Sequence, residues 1–548
     1  MKPSILPLES RPAILLRRAV VGSFLLFVLL LGIPLWYKTT SIYRAPLNYT
    51  QMSTYDERLG SLVDVKVPVF VHSAGPMLPD IVSATQLIID QHLKKLGVPT
   101  NPGWDLSLHP LPVPKGYSTD NITFSQLQQL LDMSGEYWDA ESASLVQLVP
   151  TNGVEESRVS PYAREILVSY SEQSLAAGDL PELLAVELIN IFGDEIDQYV
   201  DLVRRREPPG QGLAAAHSTN YHITFSLFVE GGEDVAWDIA PALASYFAPL
   251  ERELSARVAN FSIDTQVQFY STLTSPPKQV IDSNITHYFF TQDDLSTFVN
   301  FADWSLSSIY SYPSINFILY VPSANHSPLL VENSPSNSFI IPQWGGVVIY
   351  NSKSLPVRLS TEDLEPILEI FTAQLFSLLG APHNPVSSPL FRIDILSRAF
   401  ALRSLFSAAS SLGSLTRLSQ SLPEIAIPKS VQTNVVNAVT SIVLTLVSLN
   451  SQRFWPSAVH SAAAAMQAAH NAFFEKMMVQ QMYFPQEHKI AVYMPLLGPI
   501  LIVMTMGLLR VVKEYKSTGK EEESIPEEDS KEDTPIAYTS GSTPYSTK

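Results

Sequence analysis

Two apolar stretches, one near each end, constrain this chain more than anything between them. Ala19 to Tyr37 runs without a charged residue around Phe24-Leu25-Leu26-Phe27-Val28-Leu29-Leu30-Leu31, and Ile490 to Leu509 does the same. At about 1.5 Å per residue, each just crosses a hydrocarbon layer of about 30 Å. The first is too long for the core of a cleaved signal. It also ends in Pro34-Leu35-Trp36-Tyr37-Lys38, with no small-x-small cleavage site. Trp36 and Tyr37 suit an interfacial aromatic belt, so the stretch reads as an uncleaved signal anchor. Lys2, Arg11, Arg17 and Arg18 precede it, and Arg510, Lys513, Lys516 and Lys520 follow the second stretch. The positive-inside bias then puts both tails in the cytosol and the long middle segment on the far side. The expected division is a cytosolic tail (1–18), a transmembrane helix (19–37), a lumenal α/β domain (38–385), a lumenal helical block (386–489), a second transmembrane helix (490–509) and an acidic, disordered cytosolic tail (510–548).

Composition narrows what the middle segment does. The 548 residues include no cysteine. That removes a disulfide framework, a thiolate metal site, an iron–sulfur cluster and a cysteine nucleophile. It also fits the ER lumen better than a harsh extracellular setting. The net charge is −18, and the tails contribute +3 and −3, so the middle carries the whole excess. Nucleic acid is not a partner for such a surface. Charged residues are 16% of the chain, below the roughly 25% of ordinary soluble domains, which points to membrane or extensive buried interface. Five glycosylation acceptors fall in the middle segment, at Asn48, Asn121, Asn260, Asn284 and Asn325, as a lumenal location allows.

Between the spans, strand-like and helix-like patterns alternate. Val65–Val71, Ser144–Val149, Glu165–Tyr170, Tyr221–Phe228, Val267–Tyr270, Asn316–Val321 and Val347–Tyr350 read as strands. Pro68 is expected at a sheet edge or a bulge. Asp80–Leu96, Pro181–Arg206, Ile239–Val258 and Glu362–Leu379 read as helices, the first stopped by Gly97. This predicts an α/β domain with a mixed sheet flanked by helices. After Pro385 the pattern becomes wholly helical over Ser388–Leu418, Val431–Leu449 and Ser457–Gln481. The run Ala462–Ala465 lies between His460 and His470 and reads as a soluble helix. No internal repeat is visible.

No catalytic signature emerges: there is no Gly-x-Ser-x-Gly elbow and no phosphate loop. His217 and His222, five apart, fit ligand spacing on neither a helix face nor a strand face. His383 reads as a loop or cap histidine rather than a general base. Asp293-Asp294 and Glu362-Asp363 read as charges at helix N-termini, where the dipole favours them. Gly345-Gly346 reads as a bulge or tight turn opening a strand; its alternative is close backbone approach of a partner or lipid. No catalytic, cofactor or metal residue is assigned. Pro495 and Pro499, with Gly498 between them, suit a span packed among other helices that satisfy the freed carbonyls.

Several motifs then become recognisable in order. Trp36-Tyr37-Lys38-Thr39-Thr40 with Tyr43-Arg44-Ala45, then Ile341-Pro342-Gln343-Trp344-Gly345-Gly346-Val347, then Ala472-Phe473-Phe474, Tyr483-Phe484-Pro485, Glu487-His488-Lys489 and Ala491-Val492-Tyr493-Met494-Pro495-Leu496 together resemble the phosphatidylinositol-glycan class S family. The resemblance implies a non-catalytic structural subunit of the GPI transamidase, which attaches GPI anchors to proproteins in the ER membrane. It implies as partners the other subunits, including the cysteine-protease-like one that carries catalysis, together with ER lipid. Glu475-Lys476-Met477-Met478 departs from the family pattern, where an Asp-Pro-Ser-like turn is expected. The competing expectations are a lumenal, membrane-anchored hydrolase or glycan-modifying enzyme, and a receptor signalling through the acidic tail.

Overall fold

The computed structural model describes residues 11–40, 43–73, 78–99, 102–113, 122–133, 143–161, 163–205, 212, 214–271, 277–282, 285–290, 312–352, 357–381, 388–423, 425–450, 455–480 and 486–522. The chain divides into two units, one of Met1–Tyr43, Glu424–Ala426 and Met477–Lys548, the other of Arg44–Pro423 and Ile427–Lys476.

The first unit is built on two long helices. Arg11–Phe27 runs through a wider turn, Val28–Gly32, into Ile33–Thr40. The other helix is Gln486–Glu522, and Pro495 and Pro499 lie inside it without ending it. A Cβ added to Gly507 would rest 3.4 Å from the Val21 methyls, and the Arg18 guanidinium lies 4.9 Å from the Tyr515 ring centroid. The start of one helix thus meets the end of the other. Leu16, Phe24, Leu30, Ile502 and Met506 stand exposed along the pair.

In the larger unit, helix α1 (Tyr49–Leu62) precedes a five-stranded sheet: β1 (Val65–Ser73), β2 (Trp104–Pro110), β3 (Ser144–Pro150), β4 (Ser157–Val159) and β5 (Glu165–Tyr170), in the spatial order β2-β1-β3-β5-β4. β4 alone is antiparallel within it. α2 (Leu78–Leu96) carries the chain from β1 to β2 and ends at Gly97, whose φ of 69° suits glycine. α3 (Phe124–Met133) leads to β3, and α4 (Leu180–Arg205) follows β5.

Pro68 sits on an inner strand, not at an edge. It opposes Ser107 of β2, while pairing with β3 starts only at Val69↔Ser144. β3 has not yet begun where the missing N–H of Pro68 would be needed, so the proline breaks no ladder bond.

A second sheet contains β6 (Asn220–Val229), β7 (Asn260–Gln268), β8 (Ser314–Val321), β9 (Ser338–Ile341) and β10 (Gly345–Ile349), in the order β7-β6-β8-β10-β9. It repeats the first strand for strand: three parallel neighbours, a fourth parallel strand, and an antiparallel edge strand that precedes the fourth in the chain. The single mixed sheet expected from the sequence is therefore two sheets of one topology, and the repeat lies in strand order alone. The crossover from β6 to β7 is Ile239–Ala242, a wider turn Leu243–Phe247, and α5 (Ala248–Arg257). Phe225, Phe247, Phe317 and Phe371 stack in this core, with centroids 5.0 to 5.9 Å apart.

The strand expected at Val267–Tyr270 actually begins at Asn260, and Tyr270 turns away with φ 57°. Smaller pieces complete the α/β part. Lys278–Asp282, Ile285–Phe290 and Leu329–Val331 form a three-stranded sheet, and Val235–Trp237 pairs with Val357–Leu359. α6 (Thr361–Leu378) opens with a capping box between Ser360 and Asp363, so the Glu362-Asp363 pair is the N-terminal charge expected of it. Gly380, at φ 85°, closes the helix. Asp293-Asp294 lie outside the described residues.

The helical block follows as expected. α7 (Pro389–Ser421), α8 (Lys429–Asn450) and α9 (Trp455–Phe473) pack on one another, and a short helix, Lys476–Gln480, comes next. Ala462, Ala465 and Ala469 of α9 are buried: small side chains let α8 and α9 approach closely. The divergent Glu475 ties the end of α9 to the start of α8, accepting a hydrogen bond from the Ser430 hydroxyl at 2.8 Å.

Candidate functional site

The most concentrated chemistry of the larger unit is buried charge, and α7 organises it. Asp394 and Arg398 stand one turn apart. Asp394 takes a two-point contact from Arg164, just before β5, at 2.5 and 3.0 Å. It also faces Arg257, the last residue of α5, at 3.6 Å. Arg398 makes its own two-point contact with Glu195 of α4, at 2.5 and 2.7 Å. Glu195 also accepts the Trp104 indole N–H of β2 at 3.0 Å. Arg164, Glu195, Arg257, Asp394 and Arg398 are all at most 6% exposed. Ions so far from water persist only when paired and hydrogen-bonded. One helix thus locks an arginine from each sheet's layer onto a single carboxylate. This is a structural lock; the cavity beside Glu195 and Arg398 holds only about 10 Å³, room for about one water.

The end of α7 explains the Tyr43-Arg44-Ala45 motif. The Arg44 guanidinium donates to the carbonyls of Ser419 at 2.8 Å, Leu422 at 3.4 Å and Pro423, and to the Ser419 hydroxyl at 2.8 Å. The last carbonyls of a helix have no intrahelical donor, and a cation also suits the negative end of its dipole. Ala45 N–H donates to Ile427 O at 2.8 Å. The motif therefore seals the helix C-terminus onto the chain just after residue 43.

Gly345-Gly346 is explained from within the chain. Pro342-Gln343-Trp344 form the turn between β9 and β10, with Gln343 at φ 61°. A Cβ on Gly345 would strike the Asn316 carbonyl, and one on Gly346 would strike the Gln374 amide. Gln374, buried on α6, uses that space to donate to Phe339 O of β9 at 3.1 Å. Close approach is real here, but its source is the protein's own α6 and β8.

In α/β sheets, ligands settle at the carboxyl ends of strands where the chain's winding reverses. In the second sheet that point lies between β6 and β8. Glu230, directly after β6, accepts from His326 Nδ1 at 2.5 Å and from the Ser323 N–H at 2.7 Å, both in the turn after β8. This orients the imidazole as a carboxylate does in a catalytic dyad. Among the described residues no nucleophile is hydrogen-bonded to the ring. Sequence reasoning missed the pair because its members are 96 positions apart. The available signal was Glu230-Gly231-Gly232 directly after a strong strand.

The histidines singled out by spacing go to separate partners. His217 Nε2 meets the Ser404 hydroxyl at 2.9 Å, its ring edge-on to Phe400. Burial, helped by the Arg403 charge, pushes its pKa down to about 3, so it is neutral at ordinary pH. His222 instead meets Ser262 at 2.8 Å and Asp264 at 3.4 Å. Burial lowers its pKa, against the pull of Asp264. His383 lies outside the described residues. Of the acceptors, Asn48, Asn260 and Asn325 are exposed, while Asn121 and Asn284 lie outside the described residues. Asn48 caps α1, accepting from Gln51 N–H at 3.2 Å. Asn260 opens β7 and donates to Asn220 at 3.1 Å, and Asn325 sits in the turn before His326.

Among the described residues, one feature open to a partner is apolar. α8 carries no charge from Ser430 to Asn450. Val431, Val435, Ala438, Ile442 and Leu449 are buried, whereas Val436, Val443, Leu444 and Val447 are 43 to 61% exposed. Val436, Thr440, Val443 and Val447 recur at the spacing of a seam that packs on another helix. Beside it, a groove of about 290 Å³ is lined by Pro46, Leu47, Met52, Val435, Val436 and Val439 together with the polar Asn48, Gln51, Gln432 and Thr440. The sequence held this signal, a charge-free helix with apolar residues on both faces, but the helix was read only as part of the block.

Comparison with known proteins accords with these motifs. The family model described as phosphatidylinositol-glycan biosynthesis class S protein matches residues 23–518. GPI transamidase component GPI17 of Saccharomyces cerevisiae is 29% identical over 530 residues, covering 92% of this chain and 93% of the relative. GPI-anchor transamidase component PIGS of Homo sapiens is 28% identical over 550 residues, covering 91% and 96%. The GPI transamidase component PIG-S homolog of Schizosaccharomyces pombe is 33% identical over 309 residues, 54% of each chain. With a match that runs from inside the first apolar helix to near the end of the last, the chain belongs to the phosphatidylinositol-glycan biosynthesis class S family.

Proposed function

We propose that this chain is a non-catalytic accessory subunit of the GPI transamidase, holding a lumenal scaffold on two membrane spans while a cysteine-protease-like subunit performs the transfer. The observation that carries this reading is the near-complete alignment with two relatives named as transamidase components. A chain without cysteine supplies no cysteine nucleophile. The buried ion pairs that α7 makes with Arg164, Arg257 and Glu195 support a structural role, and the exposed seam of α8 supports docking of another subunit's helix. In this reading residues 1–18 and 510–548 are cytosolic, 19–37 and 490–509 cross the ER bilayer, and 38–385 and 386–489 form the lumenal α/β domain and helical block. The exposed apolar side chains of both long helices support lipid as their solvent, and the Arg18–Tyr515 contact supports both tails lying on one face. Glycans are proposed at Asn48, Asn121, Asn260, Asn284 and Asn325.

Deleting the gene should stop anchor attachment, so that uncleaved proproteins and free anchor precursors accumulate; normal anchoring in the null strain would refute the assignment. Val443→Glu with Val447→Glu should leave folding intact yet abolish co-purification of the remaining subunits in mild detergent. The second reading, a lumenal hydrolase, rests on the Glu230–His326 pair. His326→Ala leaving anchor attachment unchanged in cells is the expected result, and loss of attachment with an intact complex would favour the hydrolase.

A further inference from the structure

One glycosylation acceptor stands at the edge of the apolar surface of α8. Asn48 lines the groove of about 290 Å³ beside that helix, where Val436 and Thr440 of the exposed seam form part of the facing wall. Asn48 and Thr50, the two residues the acceptor sequence requires, are both exposed. The Asn48 side chain is held in place: Oδ1 accepts the Gln51 N–H at 3.2 Å, and Nδ2 donates to Gln51 Oε1 at 3.3 Å. A side-chain amide has two hydrogens. Glycosylation replaces one of them, so the other remains for Gln51. The cap of α1 thus fixes the point from which a sugar would start.

The groove suits an N-acetylated sugar, which has apolar ring faces and a methyl group alongside hydroxyl and amide donors. Val436, 57% exposed, offers apolar area. Gln432 spends an amide N–H on Pro46 O at 3.1 Å and keeps its carbonyl oxygen to accept. Thr440 donates to Val436 O at 2.9 Å and keeps its lone pairs. The volume lies just below the roughly 300–1,000 Å³ of small-molecule sites, which matches a first sugar and not a whole glycan. A free sugar would leave so shallow a place; one joined to the wall is held at an effective concentration of about millimolar or more. We propose that the first N-acetylglucosamine of a glycan on Asn48 lies in this groove and covers Val436, the near end of the α8 seam. The inference rests on the reading of Asn48 as a lumenal glycan site, and goes beyond it by giving the sugar a place and a consequence. Val447 lies about 16 Å further along α8, so a subunit's helix is left the far end, with Val443, Leu444 and Val447. A wider hollow lined by Thr50, Thr54, Tyr55 and Leu62 also reaches Asn48, but no residue of α8 borders it.

The absence of native cysteine makes single-thiol labelling clean. Val436→Cys, Val447→Cys and Tyr55→Cys are each placed in the full-length chain, purified in mild detergent and treated with a water-soluble maleimide. Each is compared with and without Thr50→Ala, which removes the acceptor sequence but leaves the Asn48 cap. Val436→Cys should react roughly fivefold more slowly when the glycan is present, since a groove open for about a fifth of the time reacts at about that fraction of the free rate. Thr50→Ser, which preserves the acceptor, should keep the slow rate, and Val447→Cys should react alike in both backgrounds. Equal rates at position 436 in a chain that carries the glycan would overturn the proposal. So would slowing at position 55 in place of 436, which would put the sugar in the hollow along α1. Slow labelling at 436 that survives Thr50→Ala and ends when co-purifying subunits are stripped away would make a subunit's helix the occupant, and would overturn it too. The underlying reading is scored separately, by gel mobility: loss of one glycan in Thr50→Ala supports it, and unchanged mobility would refute it and the proposal together.

Discussion

The two sheets share one strand order and differ at their open edge. β2 closes the first sheet with Trp104, Leu106 and Leu108 buried, and its indole is tied to Glu195. β7 occupies the equivalent place in the second sheet, yet Val267 is 45% exposed and the strand carries Ser262, Asp264, Thr265, Gln266 and Gln268. An open edge is a template for unwanted pairing unless it is covered or made polar. The first half is covered and the second is polar, with a glycosylation acceptor at its first residue. Topology therefore does not dictate burial: what packs outside the edge does. The buried charges on α7 then join two halves whose outer surfaces serve different ends.

The largest effect should come from breaking the element that the halves share. Asp394→Ala leaves Arg164 and Arg257 buried without their common carboxylate, and stranding a buried charge costs about 3–5 kcal/mol. Urea unfolding of the full chain in detergent should show that loss. If the ion pairs are what makes the halves one cooperative body, the variant should also split the unfolding into two transitions. A loss under about 1 kcal/mol would mean that the lock is ornamental.

Next in size is Leu106→Ala on the covered edge. Leu106 is 1% exposed, opposite Val67, and truncating a buried leucine costs about 2–5 kcal/mol. The same urea titration measures it.

A pH titration probes the joint between the second half and the helical block. His217 has a folded pKa near 3 against an ordinary 6.5. The unfolded chain therefore binds the extra proton between those values, and stability falls as pH drops through that window. The slope approaches roughly 1.4 kcal/mol per pH unit just above the folded value and vanishes above pH 6.5. His217→Gln should flatten the profile from about pH 6.5 downward. An unchanged slope would show that other groups govern the acid limb.

How much of this was legible differs by element. Strands dense in apolar residues, such as Val65–Val71 and Asn316–Val321, were readable because both faces are largely buried. β2 was missed because Trp-Asp-Leu-Ser-Leu-His-Pro mixes polar residues and a proline into a short strand. β7 was half missed because its alternation is mostly polar. Pro68 was misplaced because its tolerance depends on where β3 starts, a tertiary fact. The duplicated topology leaves no periodic residue pattern, and the ion lock joins positions 164, 195, 257, 394 and 398, which no local window can bring together. Arg44 and the glycine pair stood out as motifs, but their reasons, a helix end and a glutamine's path, required the fold.

The smallest effect should belong to the matching position on the open edge. Val267 pairs with Leu227 through the backbone, while its side chain faces substantial solvent. Removing two methyl groups there forfeits little burial, and exposed positions away from special features usually shift stability by at most about 0.5 kcal/mol. Val267→Ala is therefore expected to fall below that value in the titration that resolves Leu106→Ala clearly. Comparable losses at the two sites would mean that β7 is covered in the intact protein, by another subunit or by a glycan on Asn260. The measurement would then locate a second contact surface on the half that looks open, and repeating it after enzymatic deglycosylation would separate the two covers: a loss that disappears with the glycan belongs to Asn260, and one that persists belongs to a neighbouring chain.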